Sequence, residues 1–261
     1  PGKPYPISNV VTRNIQRFLG MNILFSRIAE SQIKTQLNKI AKGDFDVDLK
    51  SYSAMDLLAG KMKSIEVKGK NVVLDDIHVS SIEAKNLCDL IYIDYRKNPP
   101  VPLAPLYVGF KGTITEDDLN KTINSQKYKN MLRGIKLSVY DNDVNIVDFE
   151  NLKISLENEK IYVATDLRFK GLFKFMSTPV KFGTGLKVVD NKIKFTQTSV
   201  FSKSSGSPLN YLTSFFEMVS PTIFDMRNFE KNGMKVTLKS LKINDKQIDF
   251  EGTIWMPSVN N

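Results

Sequence analysis

Few residues in this chain could do covalent or metal chemistry, and their types and spacing argue against it. His78 is the only histidine and Cys88 the only cysteine. A lone imidazole cannot build a His-based zinc site, and a lone thiol forms no intramolecular disulfide. Cys88 is expected to serve as a small apolar filler. Asp141-Asn-Asp143-Val-Asn145 imitates the start of a calcium loop. Ile146 then stands where the sharp turn needs glycine, and Leu152 where a bidentate glutamate belongs. Gly183-Thr-Gly185 lacks the third glycine of a dinucleotide fingerprint and sits in a strand-like run. Asp44, Asp46 and Asp48 alternate with Phe45, Val47 and Leu49, the pattern of a solvated strand face rather than a metal site. The phosphate-loop, zinc-protease and nucleophile-elbow motifs are all missing. Hydrolysis would have to rest on carboxylates alone, and no pair stands out. A non-enzymatic protein without cofactor or metal is expected.

The elements carry more information than the reactive groups. From Ile161 to Phe175 the odd positions bear Ile161, Val163, Leu167, Phe169, Phe173 and Phe175, interrupted by Thr165 and Gly171. The even positions bear Tyr162, Asp166, Arg168, Lys170 and Lys174. Successive strand side chains point to opposite faces, so this is a ribbon with one apolar and one wet side. Fully extended it would reach about 50 Å, so it must twist or curl around something. A long helix is predicted over Asn22–Lys42, with Phe25, Ala29, Ile33, Leu37 and Ile40 on one stripe and Gly43 as its left-handed cap. The stripe is widened by Leu24 and Ile28.

Further strands are predicted around Phe45–Leu49, Ile65–Lys70, Ile77–Leu87, Leu106–Ile114, Ile135–Tyr140, Val144–Leu156, Val180–Val189, Lys192–Phe201, Met234–Ile243 and Gln247–Met256. Thr115-Glu-Asp-Asp118 has the form of a capping box, with Asp in place of the usual Glu or Gln. Ser207-Pro208 opens a helix to about Val219 that is apolar nearly all round, through Leu209, Tyr211, Leu212, Phe215, Phe216, Met218 and Val219. Such a helix is buried on more than one side or faces a ligand.

Composition is that of a globular protein, 41% hydrophobic and 25% charged over 261 residues. The net charge of +9 favours anionic partners, but the basic residues are scattered over many strands, so nucleic acid is not expected. No run of about 18 apolar residues predicts a spanning helix. The chain opens on Pro-Gly-Lys-Pro, from which a trimmed chain, with a leader or anchor already removed, is expected. The organisation expected is a Pro-rich lead with a short amphipathic segment over 1–21, then a single α+β domain over 22–257.

The stretch Met55-Asp-Leu-Leu-Ala-Gly60, followed by a strand, Gly69-Lys-Asn-Val72 and a second strand to Leu87, resembles the LmeA-like phospholipid-binding proteins. Ile114-Thr-Glu-Asp-Asp-Leu-Asn120 is similar to that family's helix start, and the likeness runs from about Ile33 to Met256. That family is similar to the tubular lipid-binding superfamily. The resemblance implies a long, strongly twisted antiparallel sheet wrapped around the long amphipathic helix, with a second apolar helix near the C-terminus. It also implies an acyl-chain groove, a place on the outer side of a bacterial inner membrane, and no catalytic residues. The ligand would be phospholipid or another acyl-chain amphiphile, and the second partner an anionic membrane surface. The residues expected to touch acyl chain are Phe25, Ile28, Ile33 and Leu37 on the long helix, Leu167, Phe169, Phe173 and Phe175 on the alternating strand, and Leu212, Phe215, Phe216 and Val219 on the apolar helix. An alternative is an interaction protein whose groove accepts a peptide or subunit.

Overall fold

The computed structural model describes residues 7–13, 21–94, 97, 100–140, 143–170, 177–202, 225–230 and 233–258. Its helices are α1 (Met21–Ile40), α2 (Ala54–Leu58), α3 (Glu116–Ile123) and α4 (Gln126–Met131). A first sheet has the order β1-β3-β4-β7-β14-β13. Its strands are β1 (Lys42–Lys50), β3 (Ser64–Leu74), β4 (Ile77–Asn86), β7 (Leu106–Thr115), β13 (Lys235–Asn244) and β14 (Gln247–Met256). A second sheet runs β12-β11-β10-β9-β8. It comprises β8 (Ile135–Tyr140), β9 (Asp143–Glu157), β10 (Lys160–Lys170), β11 (Ser177–Val189) and β12 (Lys192–Ser202). A small sheet of β2 (Lys61–Met62), β5 (Ile91–Asp94) and β6 (Val101–Pro102) lies at one end. Every described pairing is antiparallel, so the fold is α+β and dominated by antiparallel sheet.

The long strands bend through bulges. Asn151 in β9 and Gln197 in β12 adopt φ of 52° and 51°, where each strand carries one residue more than its partner. Such an insertion increases local twist and turns the strand. The buried threonine facing each bulge completes it. Thr165 Oγ1 donates to Glu150 O at 2.8 Å, and Thr184 Oγ1 to Thr196 O at 3.1 Å. In both cases the acceptor immediately precedes the left-handed residue, so one device is used twice. Thr165, which interrupts the apolar parity of β10, is therefore a structural hydroxyl. The parity itself holds over the described strand: Ile161 and Leu167 are buried, while Arg168 and Lys170 are exposed.

Two predicted features are corrected. Helix α1 has 20 residues but ends at Ile40, and Gly43 lies inside β1 instead of capping it. There its missing side chain makes room for β3, since a Cβ would stand 3.1 Å from Val72 Cα. The sheet also does not wrap around a strongly amphipathic α1. Ile28 and Ile40 are exposed, and no described side chain of α1 is fully buried. The helix lies along β1 and α2, with Ala29 and Ile33 against Leu49, Leu57, Met62, Ile91 and Leu106. The Ile161–Val163 end of the apolar side of β10 instead meets the β13–β14 hairpin and α3 through Ile243, Ile248, Leu119 and Ile123. The apolar helix expected from Ser207 to Val219 lies outside the described residues.

The two sheets are fastened reciprocally. Helix α3 is held to the first sheet by its capping box, in which Asp118 accepts from the Thr115 N–H at 2.9 Å and from the Thr115 and Ser80 hydroxyls. Its side chains then serve the open edge of β9 in the second sheet. Asn120 Nδ2 donates to Ile154 O at 2.8 Å, and Asn120 Oδ1 accepts from Ile154 N at 2.9 Å. Glu116 Oε2 accepts from Leu156 N at 2.9 Å, and Asn124 Nδ2 donates to Leu152 O at 3.3 Å. Residues four apart on a helix thus satisfy strand residues two apart, in place of a neighbouring strand. Asn191, in the β11–β12 turn, does the converse. It donates to Val236 O at 2.5 Å and accepts from Leu238 N at 2.8 Å on edge strand β13 of the first sheet.

Asn120→Ala is expected to cost about 1–3 kcal/mol, because it strands a donor and an acceptor on β9. Urea unfolding would measure it, and Asn120→Asp, which keeps only the acceptor, should fall between parent and Ala variant. Burial by itself would raise the Asp118 carboxyl, but the Ser80 and Thr115 hydrogen bonds and nearby Lys121 outweigh it and leave the group below its ordinary value of 3.8. Its contribution is therefore complete above pH 3.8 and is lost as pH falls below that value. Asp118→Asn should lower stability at neutral pH by about 1 kcal/mol and flatten the stability loss below pH 3.8. An unchanged acid limb in the variant would contradict this assignment.

A candidate lipid-binding trough

Cross-strand register assigns the side chains of the first sheet to its two faces, because directly opposed residues of an antiparallel pair share a face. One row reads Asp46, Lys68, Glu83, Lys111, Glu251, Ser240 across β1, β3, β4, β7, β14 and β13. Its charges alternate in sign, and Lys111 pairs with Glu83 at 3.2 Å. Lys68 pairs with Glu66 one row along, at 2.9 Å. Asp44, Asp46 and Asp48 are exposed here, as the alternation predicts for a solvated face. A shallow cavity of about 470 Å³ crosses this face between Lys68, Glu83, Lys111, Ser240, Lys242 and Asp249. It is a pleat between ladders of opposite charges, and acyl chain laid in it would strip water from those charges.

The other face is apolar. Adjacent rows read Phe45, Gly69, Ile82, Gly112, Phe250, Leu241 and Val47, Val67, Ala84, Phe110, Gly252, Leu238. A third carries Leu49 and Ile65 on β1 and β3, then Asn86, Val108, Ile254 and Val236 on the remaining strands. The flanks of this face are sealed. Phe45, Val47 and Leu49 on β1 and Val236 and Leu238 on β13 are all buried. The middle is not, since Val67, Ile82, Ala84, Phe110, Phe250 and Ile254 are only half-buried. In an ordinary two-layer domain the central strands are covered best. Here the edges form walls and the centre forms a half-open floor.

The floor is deepened by reciprocal glycine–phenylalanine pairs between β7 and β14. The Phe250 ring covers Gly112, where a Cβ would lie 2.4 Å from Phe250 Cζ. The Phe110 ring covers Gly252, with the corresponding distance 2.5 Å. The two rings stand 6.2 Å apart and tilted by 55°. They lie over backbone instead of standing upright, which keeps the trough low along its middle. The two apolar rows over four strands give a floor about 14 Å across the strands, wide enough for an acyl chain.

One end of the trough is closed by the packing of α1, α2 and the small sheet, and the other by the contact between β13–β14 and the second sheet. Among the described residues no group of three or more His, Cys, Asp or Glu is placed to hold a metal. His78 is half-buried, and its backbone N–H donates to Thr122 Oγ1. The lone thiol, Cys88, is half-buried near the end of β4.

The sequence pattern of the LmeA-like phospholipid-binding family matches residues 21–253. The chain belongs to that family. No curated protein and no solved structure matches it significantly. For this family member, the residues expected to touch ligand fall in several places. Ile33 and Leu37 are half-buried on the inner side of α1, and Ile33 packs beside the closed end of the trough. Ile28 is exposed on α1. Leu167 is buried in the second sheet with Val147, Phe149 and Val180. Phe25 and Phe169 lie on α1 and β10, but their side chains are outside the described set, as are Phe173, Phe175, Leu212, Phe215, Phe216 and Val219 altogether. The floor residues Val67, Ile82, Ala84, Phe110, Phe250 and Ile254 escape a reading of single strands. Their signal is the pairing of Gly112 and Gly252 with phenylalanines on the neighbouring strand, and it appears only once the register is known.

Proposed function

We propose that this LmeA-like protein binds phospholipid, without catalysing a reaction, with acyl chain lying on the apolar floor of the first sheet. The observation that carries the reading is the inverted burial of that face: sealed flanks and a half-open centre. Removal of acyl chain from water supplies about 0.8 kcal/mol per CH₂, so a 16-carbon chain offers on the order of 10 kcal/mol before entropic costs. That suffices for capture without any polar contact. The headgroup would remain in water above the half-open centre of the floor. In this reading residues 22–257 form one lipid-binding domain, with α1 and the segment around Leu212–Val219 contributing further apolar contacts. The protein would carry or present lipid at the cell envelope. No helix among the described residues is long and apolar enough to cross a membrane.

Native mass spectrometry of the purified protein tests the proposal. The parent should carry discrete added masses of phospholipid. Ala84→Trp, which sets a large ring on the middle of the floor, should lose most of that mass while unfolding near the parent temperature. Lys111→Ala, on the opposite face, should keep it. Full lipid loading of the Ala84→Trp variant would place the site elsewhere.

A further inference from the structure

Basic residues that are scattered along the sequence are gathered by strand pairing on one face of the second sheet. Ile161 and Val163 of β10 pack in the core, so Lys160, Tyr162 and Ala164 point to the outer face. Register adds Lys153 of β9 and Lys181 of β11, which both oppose Ala164. Leu186 packs in the same core, so Lys187 also faces outward, directly opposite Lys194 of β12. Lys153, Lys181 and Lys187 are exposed, and Lys160 and Lys194 are half-buried. From Lys181 to Lys187 the patch runs about 20 Å along β11, and from β9 to β12 it spans about 14 Å.

The positive charges of this face are not compensated, unlike those on the polar face of the first sheet. There lysine and glutamate alternate, and Lys68 and Lys111 have carboxylate partners. Among the described residues none of Lys153, Lys160, Lys181, Lys187 and Lys194 forms an ion pair. Lys187 and Lys194 stand opposite each other, although like charges in that position destabilise a sheet. Acids of the same face lie toward its other end and are engaged there. Asp148 pairs with Lys170 at 2.8 Å, Glu150 with Arg168 at 3.3 Å, and Asp166 accepts from Asn151 at 2.7 Å. Asp225, beside β12, is taken by Lys192 and Arg227. Glu157 opposite Lys160, with Glu159 and Asp190 in the flanking turns, leaves three acids against five lysines at the basic end.

We infer that the outer face of the second sheet docks on the surface of an anionic lipid bilayer. Its chemistry selects that occupant. All five charges are lysines, point charges without the bidentate fork by which arginine reads a fixed phosphate or carboxylate. Such an array suits a fluid headgroup layer, which attracts each basic residue brought near it. Lysine is depleted from protein–protein interfaces, where aromatic residues and arginine are enriched. Single-stranded nucleic acid is held by bases stacked on free aromatic rings. The tyrosine of this face, Tyr162, lies against Gly183, where a Cβ would stand 2.6 Å from its Cε1, and the Lys181 ammonium sits over the ring at 4.8 Å from its centroid. The position fits as well. Asn191, in the turn beyond Lys187 and Lys194, bonds Val236 and Leu238 of β13, which form one wall of the apolar trough. The basic end of the face thus adjoins the trough that would receive lipid. Docking takes its purpose from the lipid-binding reading and is measured independently of it.

Flotation of the full chain with vesicles of phosphatidylglycerol and phosphatidylcholine in equal parts, at low salt, tests it. K181Q/K187Q/K194Q should weaken vesicle binding by on the order of tenfold or more. K68Q/K111Q/K242Q removes the same charge from the polar face of the first sheet and should bind as the parent does. The outer-face variant relieves the repulsion between Lys187 and Lys194, so it should unfold at or above the parent temperature. Its native mass spectrum should show the parent's lipid load. Parent-like binding by K181Q/K187Q/K194Q, or an equal loss in K68Q/K111Q/K242Q, would overturn the inference. Tighter retention of the parent on DNA than on vesicles, lost in the outer-face variant, would give the face to nucleic acid and overturn it as well. A parent that carries no lipid, while K181Q/K187Q/K194Q alone loses vesicles, would overturn the trough and leave the docking face standing.

Discussion

Two asparagines hold the molecule in the shape that leaves its apolar face half open. Asn120 comes from a helix locked to the first sheet and pairs with Ile154 on the second. Asn191 comes from a turn of the second sheet and pairs with Val236 and Leu238 on the first. Each side-chain amide offers a donor and an acceptor, so it can satisfy a strand edge as a neighbouring strand would. The sheets are therefore joined at their edges and ends, and among the described residues they do not stack face to face over the centre of the first sheet. Among the described residues, apolar packing between them gathers at one end, where Ile154, Leu156, Ile161, Val163 and Leu186 meet Ile243, Ile248 and Leu241. A full sandwich would have covered Ile82, Ala84, Phe110 and Phe250.

That restriction gives the first sheet two usable faces of opposite character. One bears ladders of alternating charge, soluble and self-compensating. The other bears a hydrophobic floor whose glycines let two phenylalanine rings lean over the backbone. An exposed apolar surface of this size costs solubility unless something covers it. Phospholipid is the ligand class that the family description supplies and that a non-directional apolar surface can hold.

The sequence revealed what is local and concealed what depends on pairing. The alternation in Ile161–Lys170, the Thr115–Asp118 capping box and the final hairpin are each written in a few neighbouring residues, and each is present. The α1 stripe was legible as a period but not as a degree of burial, because the same leucines and isoleucines suit a surface helix beside one strand. Gly43 matches a helix cap in sequence and a bulge partner in space; the register of β1 on β3 decides between them. The floor was hidden for the same reason. Ile82 and Ala84 look unremarkable on β4, and only the opposed Val67, Gly69, Phe110 and Gly112 make them part of a surface. The sites expected on Phe173, Phe175 and the Leu212–Val219 helix lie beyond the described residues and stand as proposals.

The central claim is that acyl chain lies on the apolar face of the first sheet. Photocrosslinking tests it most directly: the protein is loaded with a phospholipid bearing a diazirine near the end of one acyl chain, irradiated, digested, and its adducts mapped by tandem mass spectrometry. The account predicts adducts on β3, β4, β7 and β14, centred on Val67, Ile82, Ala84, Phe110 and Phe250. Adducts confined to the charged face around Lys68, Lys111 and Lys242, or to the outer face of the second sheet, would contradict it.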